Sequence, residues 1–243
     1  MAELRNYQSQ VGARADSAID EGLRAYMLKV YNLMAIALVV TGAVAYGTFN
    51  LAVSNGQLTQ LGALLFTSPL RWVIMLAPLA FVFLFSFRID RMSVSTAQMT
   101  FWAFAALMGL SLSSIFLVFT GASITQTFFV TAAAFGALSL YGYTTRRDLT
   151  AMGSFLIMGV FGLILAMLVN LFLQSSALQF AISAIGVLVF AGLTAYDTQK
   201  IKESYFEGDA AVLGRNAIMG ALTLYLDFIN MFQFLLSFLG DRD

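Results

Sequence analysis

Long apolar runs separated by short polar stretches make up most of the chain. A helix needs about 20 apolar residues to cross the roughly 30 Å hydrocarbon core of a bilayer. Seven runs between charged residues come close to that length or exceed it: 28–49, 70–87, 97–119, 124–143, 149–173, 178–199 and 217–239. Because these runs lack the polar face of a water-soluble helix, the pattern predicts an all-α integral membrane protein. Its seven transmembrane helices would occupy residues 28–239.

The segments outside these runs are short. Residues 1–27 are polar, and they contain no apolar stretch after a basic start of the kind found in a signal peptide. We therefore expect residues 1–27 to form a tail that is partly helical near the bilayer. The connections between the runs leave no room for a separate soluble domain.

The positions of Lys and Arg predict an orientation. Eleven of the 13 basic residues lie in the N-terminal tail, at the edge of the first run, or in the second, fourth and sixth connections. The other side has only Arg71 and Arg242. Because basic residues favour the cytoplasmic side of a membrane, the N-terminal tail is expected in the cytoplasm. The C-terminal tail, residues 240–243, is then expected on the exoplasmic side.

The composition narrows the chemistry that a site could use. Charged residues make up 11% of the chain, against about 25% in a typical soluble domain. The chain has no Cys and no His, which excludes disulfides, thiolate nucleophiles and the commonest general base and metal ligand. The sparse, balanced charge also argues against binding to nucleic acid. A site must therefore use carboxylates, Arg, Lys, hydroxyls, amides or the backbone.

Small residues at four-residue spacing predict close helix contacts in the membrane. Three such pairs occur within the runs: Gly109 and Ser113, Ala132 and Gly136, and Gly162 and Ala166. The alternative is that Gly and Ala are simply frequent in membrane helices.

Two carboxylates lie within the apolar runs rather than at their ends. Asp197 is in the sixth run and Asp227 is in the seventh. A carboxylate in mid-membrane costs about 2.5–3.5 kcal/mol on insertion scales, so such a residue is a candidate functional residue. Asp197, five residues before Lys202, could instead reach interfacial water. That alternative fits Asp227 poorly, because apolar residues flank it on both sides.

The helical period places each aspartate on a polar stripe that should face protein or water. The stripe of the sixth helix contains Ser183, Gly186, Thr194 and Asp197, and that of the seventh contains Gly220, Thr223, Asp227, Asn230 and Ser237. The two helices are antiparallel neighbours, so the stripes can meet. If Lys202 and Ala217 lay at one interface, Asp227 would be roughly 7 Å deeper than Asp197. Part of the seventh helix would then protrude inward, or water would bridge the pair.

Two carboxylates that meet in a low dielectric cannot easily both ionise, so the pair is expected to share a proton. Such a pair can sense pH near neutrality without histidine. Arg88, at the inner end of the second run, is the nearest plausible counter-ion. Pairing with Arg88 would favour ionised aspartate and its release would favour the shared proton, which outlines a two-state switch. The alternative for Arg88 is a simple anchor at the cytoplasmic surface.

Several of these segments resemble motifs of the Bax inhibitor-1 family, also called the transmembrane Bax inhibitor motif family. The sixth-helix motif is similar to residues 195–202, AYDTQKIK, and the seventh-helix motif to residues 224–230, LYLDFIN. Residues 109–113, GLSLS, and 147–149, RDL, also resemble family patterns. The resemblance covers nearly the whole chain in order, and the short tail suggests a bacterial inner-membrane member.

The resemblance implies a fold in which the seventh helix is central and surrounded by the other six. It also implies a pH-sensitive Ca²⁺ leak with Asp197 and Asp227 as a di-aspartyl sensor and Arg88 as the latch. Ala77 stands where some members carry an acidic residue. Links to cell-death suppression and, in bacteria, to a membrane-bound ATP-dependent protease as partner are further implications. We expect a monomer with no bound cofactor.

The polar residues around the pair are compatible with a weak calcium site. Calcium binds six to eight oxygen atoms. The two aspartates could hold a transient Ca²⁺ together with water and four supporting residues: Thr194, Thr198, Thr223 and Asn230. Weak binding suits permeation, because the ion must leave as well as enter.

Two other functions remain as alternatives to a cation leak. Two aspartates in the membrane could form an intramembrane aspartyl protease. However, that class has Gly-x-Gly-Asp at the second aspartate, whereas Leu224, Tyr225 and Leu226 precede Asp227. The other alternative is a regulator that transports nothing and binds another membrane protein. The function that we favour, a cation leak, is not enzymatic.

Overall fold

The computed structural model describes residues 2–206 and 208–241, with side chains described from Glu21 onward. Within these residues it contains eight α-helices. They are α1 (Ala2–Ala52), α2 (Gln60–Phe66), α3 (Leu70–Arg88), α4 (Val94–Leu112), α5 (Gly121–Thr144), α6 (Thr150–Leu173), α7 (Ser176–Glu203) and α8 (Ala210–Leu239). Short 3₁₀ turns at Ile89–Arg91 and Ser113–Leu117 extend α3 and α4.

The seven predicted transmembrane helices are confirmed: every helix except the seven-residue α2 contains a stretch long and apolar enough to span a bilayer. The chain is therefore an integral membrane protein. Several boundaries differ from the prediction, including those at the starts of the first and last helices. The first helix continues through residues 2–27 as part of α1, and the last begins at Ala210 rather than at residue 217.

Polar residues before the helices mark where several of them begin. The hydroxyls of Ser93, Thr120 and Ser175 accept hydrogen bonds from the backbone N–H groups of the first turns of α4, α5 and α7. Asp209 does the same for α8, where its Oδ1 lies 2.7 Å from the N–H of Ala211. These caps satisfy backbone donors that helix ends leave free. They allow the chain to reverse direction within a few residues.

The first connection contains structure that the apolar pattern does not predict. Val53–Ser54 and Gln57–Leu58 form a short antiparallel hairpin, β1 and β2. Its tip has Asn55 and Gly56 at φ values of 52° and 75°. Asn-Gly favours the tight hairpin turn that requires positive φ at both positions. Helix α2 follows and leads into α3.

Helix α8 is the most buried of the membrane spans, with 56% of its apolar window inside the protein. It packs against α1, α4, α5 and α7, whereas α6 packs on α7 and α3 packs on α4. It therefore contacts four of the other membrane helices, but the predicted central position stays a prediction. A complete ring of six helices around it is not confirmed. The end of the bundle that carries the connections 88–94, 144–150 and 203–210 is called the basic end below.

A buried hydrogen-bond chain joins α1, α4 and α8. The Thr41 hydroxyl donates to the carbonyl oxygen of Ala105 at 2.8 Å, so the Tyr225 hydroxyl, 2.6 Å away, donates to Thr41. Gly109 lies one turn further along α4, where α1 approaches closely. Of the three predicted small-residue pairs, this one lies at a close helix contact. Gly136 and Gly162 face open space instead.

Candidate functional site

The side chains of Asp197 and Asp227 meet between α7 and α8. Their carboxyl groups lie within hydrogen-bonding distance of each other. Asp227 is 5% exposed and Asp197 is half-buried. A hydrogen bond between two carboxyl groups requires that one of them carry a proton. The polar stripes of the antiparallel helices α7 and α8 therefore meet, as the sequence predicts.

The register of the two helices explains how residues at different depths touch. Gly220 of α8 packs against Ile201 of α7, which places Asp227 level with Thr194. The offset from Asp197 is then three residues, or about 4.5 Å along the helix axis. Side chains tilt toward the N-terminus of their own helix. Because the helices are antiparallel, the two carboxyl groups tilt toward each other and close this gap.

An open pocket of about 270 Å³ lies beside Asp197 at the basic end. It is lined by Asp197, Lys200, Ile201, Ser204, Asn216, Met219, Gly220 and Thr223. Asp227 is not part of this lining and lies behind Asp197. The two carboxyl groups are therefore not equivalent, since one faces the pocket and the other faces the protein interior.

The positive charge nearest to the pair is Lys200, which acts on Asp197 from the next turn of α7. Its Nζ lies 5.9 Å from the centre of the Tyr196 ring. Arg88 is exposed at the end of α3, and the described residues hold no ion pair with it. The predicted latch function of Arg88 stays a prediction.

The four supporting polar residues have different surroundings. Thr223 lines the pocket and donates to the carbonyl oxygen of Met219 at 3.1 Å. Asn230, about two turns deeper on α8 than Thr223, donates to the carbonyl oxygen of Leu226 at 2.8 Å. Thr194 and Thr198 are fully buried and donate to the backbone of α7. Thr223 is therefore the member of the four that the pocket exposes beside Asp197.

Two carboxyl groups form the acidic core of the site. Within the part of the chain that the structure describes, no group of three or more acidic residues could hold a metal ion. The Oδ2 atom of Asp227 is buried, and no described donor group reaches it. An oxygen atom in this state can take up a proton or a cation. Two carboxyl groups are fewer acidic ligands than a tight calcium site usually has.

The pocket also contains residues that the sequence analysis missed, namely Lys200, Ser204 and Asn216. Asn216 could have been found, because it precedes Gly220 by four residues and extends the polar stripe of α8 by one turn. The prediction began the last helix at residue 217 and so left Asn216 outside it. Ser204 follows the last residue of α7, where helical phase gives no guidance.

The fold and the site define an integral membrane protein with seven long helices and a contacting pair of carboxyl groups, one of them buried. The family model for the inhibitor of apoptosis-promoting Bax1 matches residues 23–243. The chain is 51% identical to an uncharacterized protein of Rickettsia prowazekii over 93% of this chain and 94% of that protein. It is 47% identical to the inner membrane protein YbhL of Escherichia coli, over 94% and 97% of the two chains. The chain belongs to the Bax inhibitor-1 family, which confirms the resemblance found in the sequence.

Proposed function

We propose that this protein is a pH-sensitive leak for Ca²⁺ whose opening depends on the protonation of the Asp197–Asp227 pair. The observation that carries the proposal is the contact between the two carboxyl groups, with one at the pocket and the other buried behind it. Such a contact is stable when one proton lies between the oxygens and repulsive when both groups are ionised. The charge state of the pair therefore biases how α7 and α8 pack.

Arg88 fits this proposal as the competing partner of the pair. Ion pairing with Arg88 would favour two ionised aspartates, and its release would favour the shared proton. The arrangement of the structure, with the carboxyl groups in contact and Arg88 at the exposed end of α3, corresponds to the second state. Movement of α3 relative to α7 and α8 would connect the two states.

The path of the ion involves α8. Beyond Asp227, away from the pocket, α8 buries Met231, Leu235 and Leu236. These apolar side chains must move for a hydrated cation to pass, so conduction requires a change in the packing of α8. The basic end faces the cytoplasm of a bacterial inner membrane in this proposal. Its Lys and Arg content and the printed name of the E. coli relative support that placement.

The test is Ca²⁺ flux into proteoliposomes that carry the purified protein, measured with a trapped calcium indicator from about pH 6 to about pH 8. The wild type should show flux that changes with pH. The variant with Asp197→Asn and Asp227→Asn should lose the pH dependence, because amides do not titrate in this range. Asp90→Asn is the matched control, since Asp90 is exposed in the 3₁₀ turn after α3.

Unchanged flux and unchanged pH response in the double variant would refute the proposal. Circular dichroism of each variant establishes that loss of response is not loss of the fold. Absence of flux from the wild type, together with co-purification of a membrane-bound protease, would favour the non-transporting regulator instead.

A further inference from the structure

A lateral groove separates α1 from α5. Helix α1 packs on α4 and α8, and α5 packs on α7 and α8. The groove has a volume of about 660 Å³. It is lined by one face of each helix: Arg24, Met27, Leu28 and Tyr31 of α1, and Phe135, Gly136, Ser139, Leu140 and Tyr143 of α5.

The walls of the groove are apolar and open to the bilayer. Leu28 is 51% exposed and Leu140 is 63% exposed. Gly136 is exposed, and a Cβ atom built on it would meet no atom within 4 Å. From Arg24 to Tyr31 the groove extends for seven residues, or about 10.5 Å of helix. This space suits the upper part of an acyl chain.

The floor of the groove carries the hydroxyl groups of Tyr31 and Ser139, which continue into the buried hydroxyl group of Thr198. The Tyr31 hydroxyl lies 2.6 Å from Ser139 Oγ, which lies 3.0 Å from Thr198 Oγ1. Thr198 donates its proton to the carbonyl oxygen of Thr194 at 2.7 Å. Ser139 must then donate to Thr198, and Tyr31 to Ser139. All three protons are used, so the floor has no donor left for a phosphate group.

Positive charge is concentrated at one end of the groove. Arg24 lines that end and makes no ion pair with a described side chain. Lys202 donates to the carbonyl oxygen of Tyr143 at 2.8 Å and lies 5.2 Å from the centre of its ring. An ammonium group has three donors, so Lys202 retains two for another partner. The exposed carboxylates nearest in sequence are Glu21 and Glu203, one turn from Arg24 and next to Lys202.

We infer that this groove binds an anionic phospholipid from the leaflet at the basic end. The phosphate of the lipid contacts Arg24 and Lys202, and one acyl chain occupies the space beside Gly136. Charge complementarity selects the headgroup, because basic residues at this depth attract anionic lipids. The lateral opening favours a lipid over a soluble ligand, since the walls face hydrocarbon. This site is separate from the pocket at Asp197.

The test is native mass spectrometry of the purified protein titrated with phosphatidylglycerol or with phosphatidylcholine of the same acyl chains. The wild type should bind the first phosphatidylglycerol more tightly. Arg24→Gln should weaken that binding about fivefold, as expected for loss of one basic contact at a membrane surface. Arg71→Gln is the matched control. It removes a charge from the first turn of α3, at the end of the bundle opposite the basic end, and should leave binding unchanged.

A second pair of variants tests the acyl site. Gly136→Phe fills the groove and should reduce retention of both lipids, whereas Gly162→Phe, on an equally open face of α6, should not. Equal lipid binding by Arg24→Gln and Arg71→Gln, or full retention by Gly136→Phe, would overturn the inference. A wild type that is dimeric and becomes monomeric with Gly136→Phe would also overturn it, because a second copy would then occupy the groove. Lipid binding is measured without ion flux, so this inference and the proposed leak fail independently.

Discussion

Replacement of Gly109 by alanine tests whether the junction of α1, α4 and α8 is as close as the structure describes. A Cβ atom at this position would lie 2.5 Å from the carbonyl oxygen of Thr41 and 2.9 Å from Val44 Cβ. Ordinary van der Waals contact begins at about 3.4 Å. The obstacle is helix backbone rather than the end of a flexible side chain, so α1 and α4 must separate by almost 1 Å, about the difference between these distances.

The expected free-energy change has two parts of opposite sign. Overpacking of a close contact costs roughly 1–3 kcal/mol. Alanine in place of glycine within a helix contributes about 1 kcal/mol of stabilisation. Gly162→Ala is the matched control, because the new methyl group meets no atom within 4 Å and only the helix term applies. The difference between the two variants therefore isolates the cost of the contact, about 1–3 kcal/mol.

The assay is thermal unfolding of the detergent-purified protein, followed by circular dichroism. At about 2–4 °C per kcal/mol for a chain of this size, Gly109→Ala should unfold several degrees below Gly162→Ala. Separation of α1 from α4 should also disturb the hydrogen bond between Thr41 and Tyr225. A change in tyrosine fluorescence would report this, because the Tyr225 ring packs edge-on against Phe101 and Phe104. Equal Tm values for the two alanine variants would show that α1 and α4 are not in backbone contact at Gly109.

Two further predictions concern the connection between α5 and α6. Gln199, which is 6% exposed, donates to the carbonyl oxygen of Arg147 at 2.8 Å and accepts from the N–H of Leu149 at 2.9 Å. Gln199→Leu should therefore lower the free energy of unfolding by about 1–3 kcal/mol, because it leaves a buried donor without a partner; an unchanged denaturation midpoint would contradict this. Hydrogen bonds from the side chain and backbone of Thr150 hold the pKa of Asp148 below its ordinary value. Ionised Asp148 therefore stabilises the start of α6 above about pH 4, and this stabilisation is lost as the pH falls through the lowered pKa. Thr150→Val should raise that pKa in an NMR titration, and no change would rule out the hydroxyl as its main cause.

The seven spans could be predicted because membrane helices need long apolar runs and charges seldom interrupt them. Their ends could not be predicted in the same way. The prediction began the last helix at residue 217, just after Arg215, but a charged residue does not end a helix. The structure begins α8 at Ala210, after the capping side chain of Asp209. Asp209 is visible in the sequence and marks the start of α8 better than Arg215 does.

Packing partners were harder to predict than spans, because helices that are apolar on every side carry no stripe that points to a neighbour. The three small-residue pairs looked equivalent, yet only the contact at Gly109 brings two backbones together, while Gly136 and Gly162 face open space. The position of Arg88 depends on where α3 packs. Helix α3 lies against α4, at the outside of the bundle, and no pattern along the chain specifies that choice.

The pair of aspartates shows where helical phase succeeds and where it stops. Phase placed Asp197 and Asp227 on facing stripes, and the tilt of each side chain toward its own N-terminus explains why the depth difference does not separate them. Helical phase alone, however, does not distinguish the surroundings of Asp197 from those of Asp227. They differ in the structure because Asp197 lines the pocket, whereas Asp227 is 5% exposed and is not part of the pocket lining. In the proposed leak, a proton or cation from the basic end would therefore meet Asp197 first and would reach Asp227 through it.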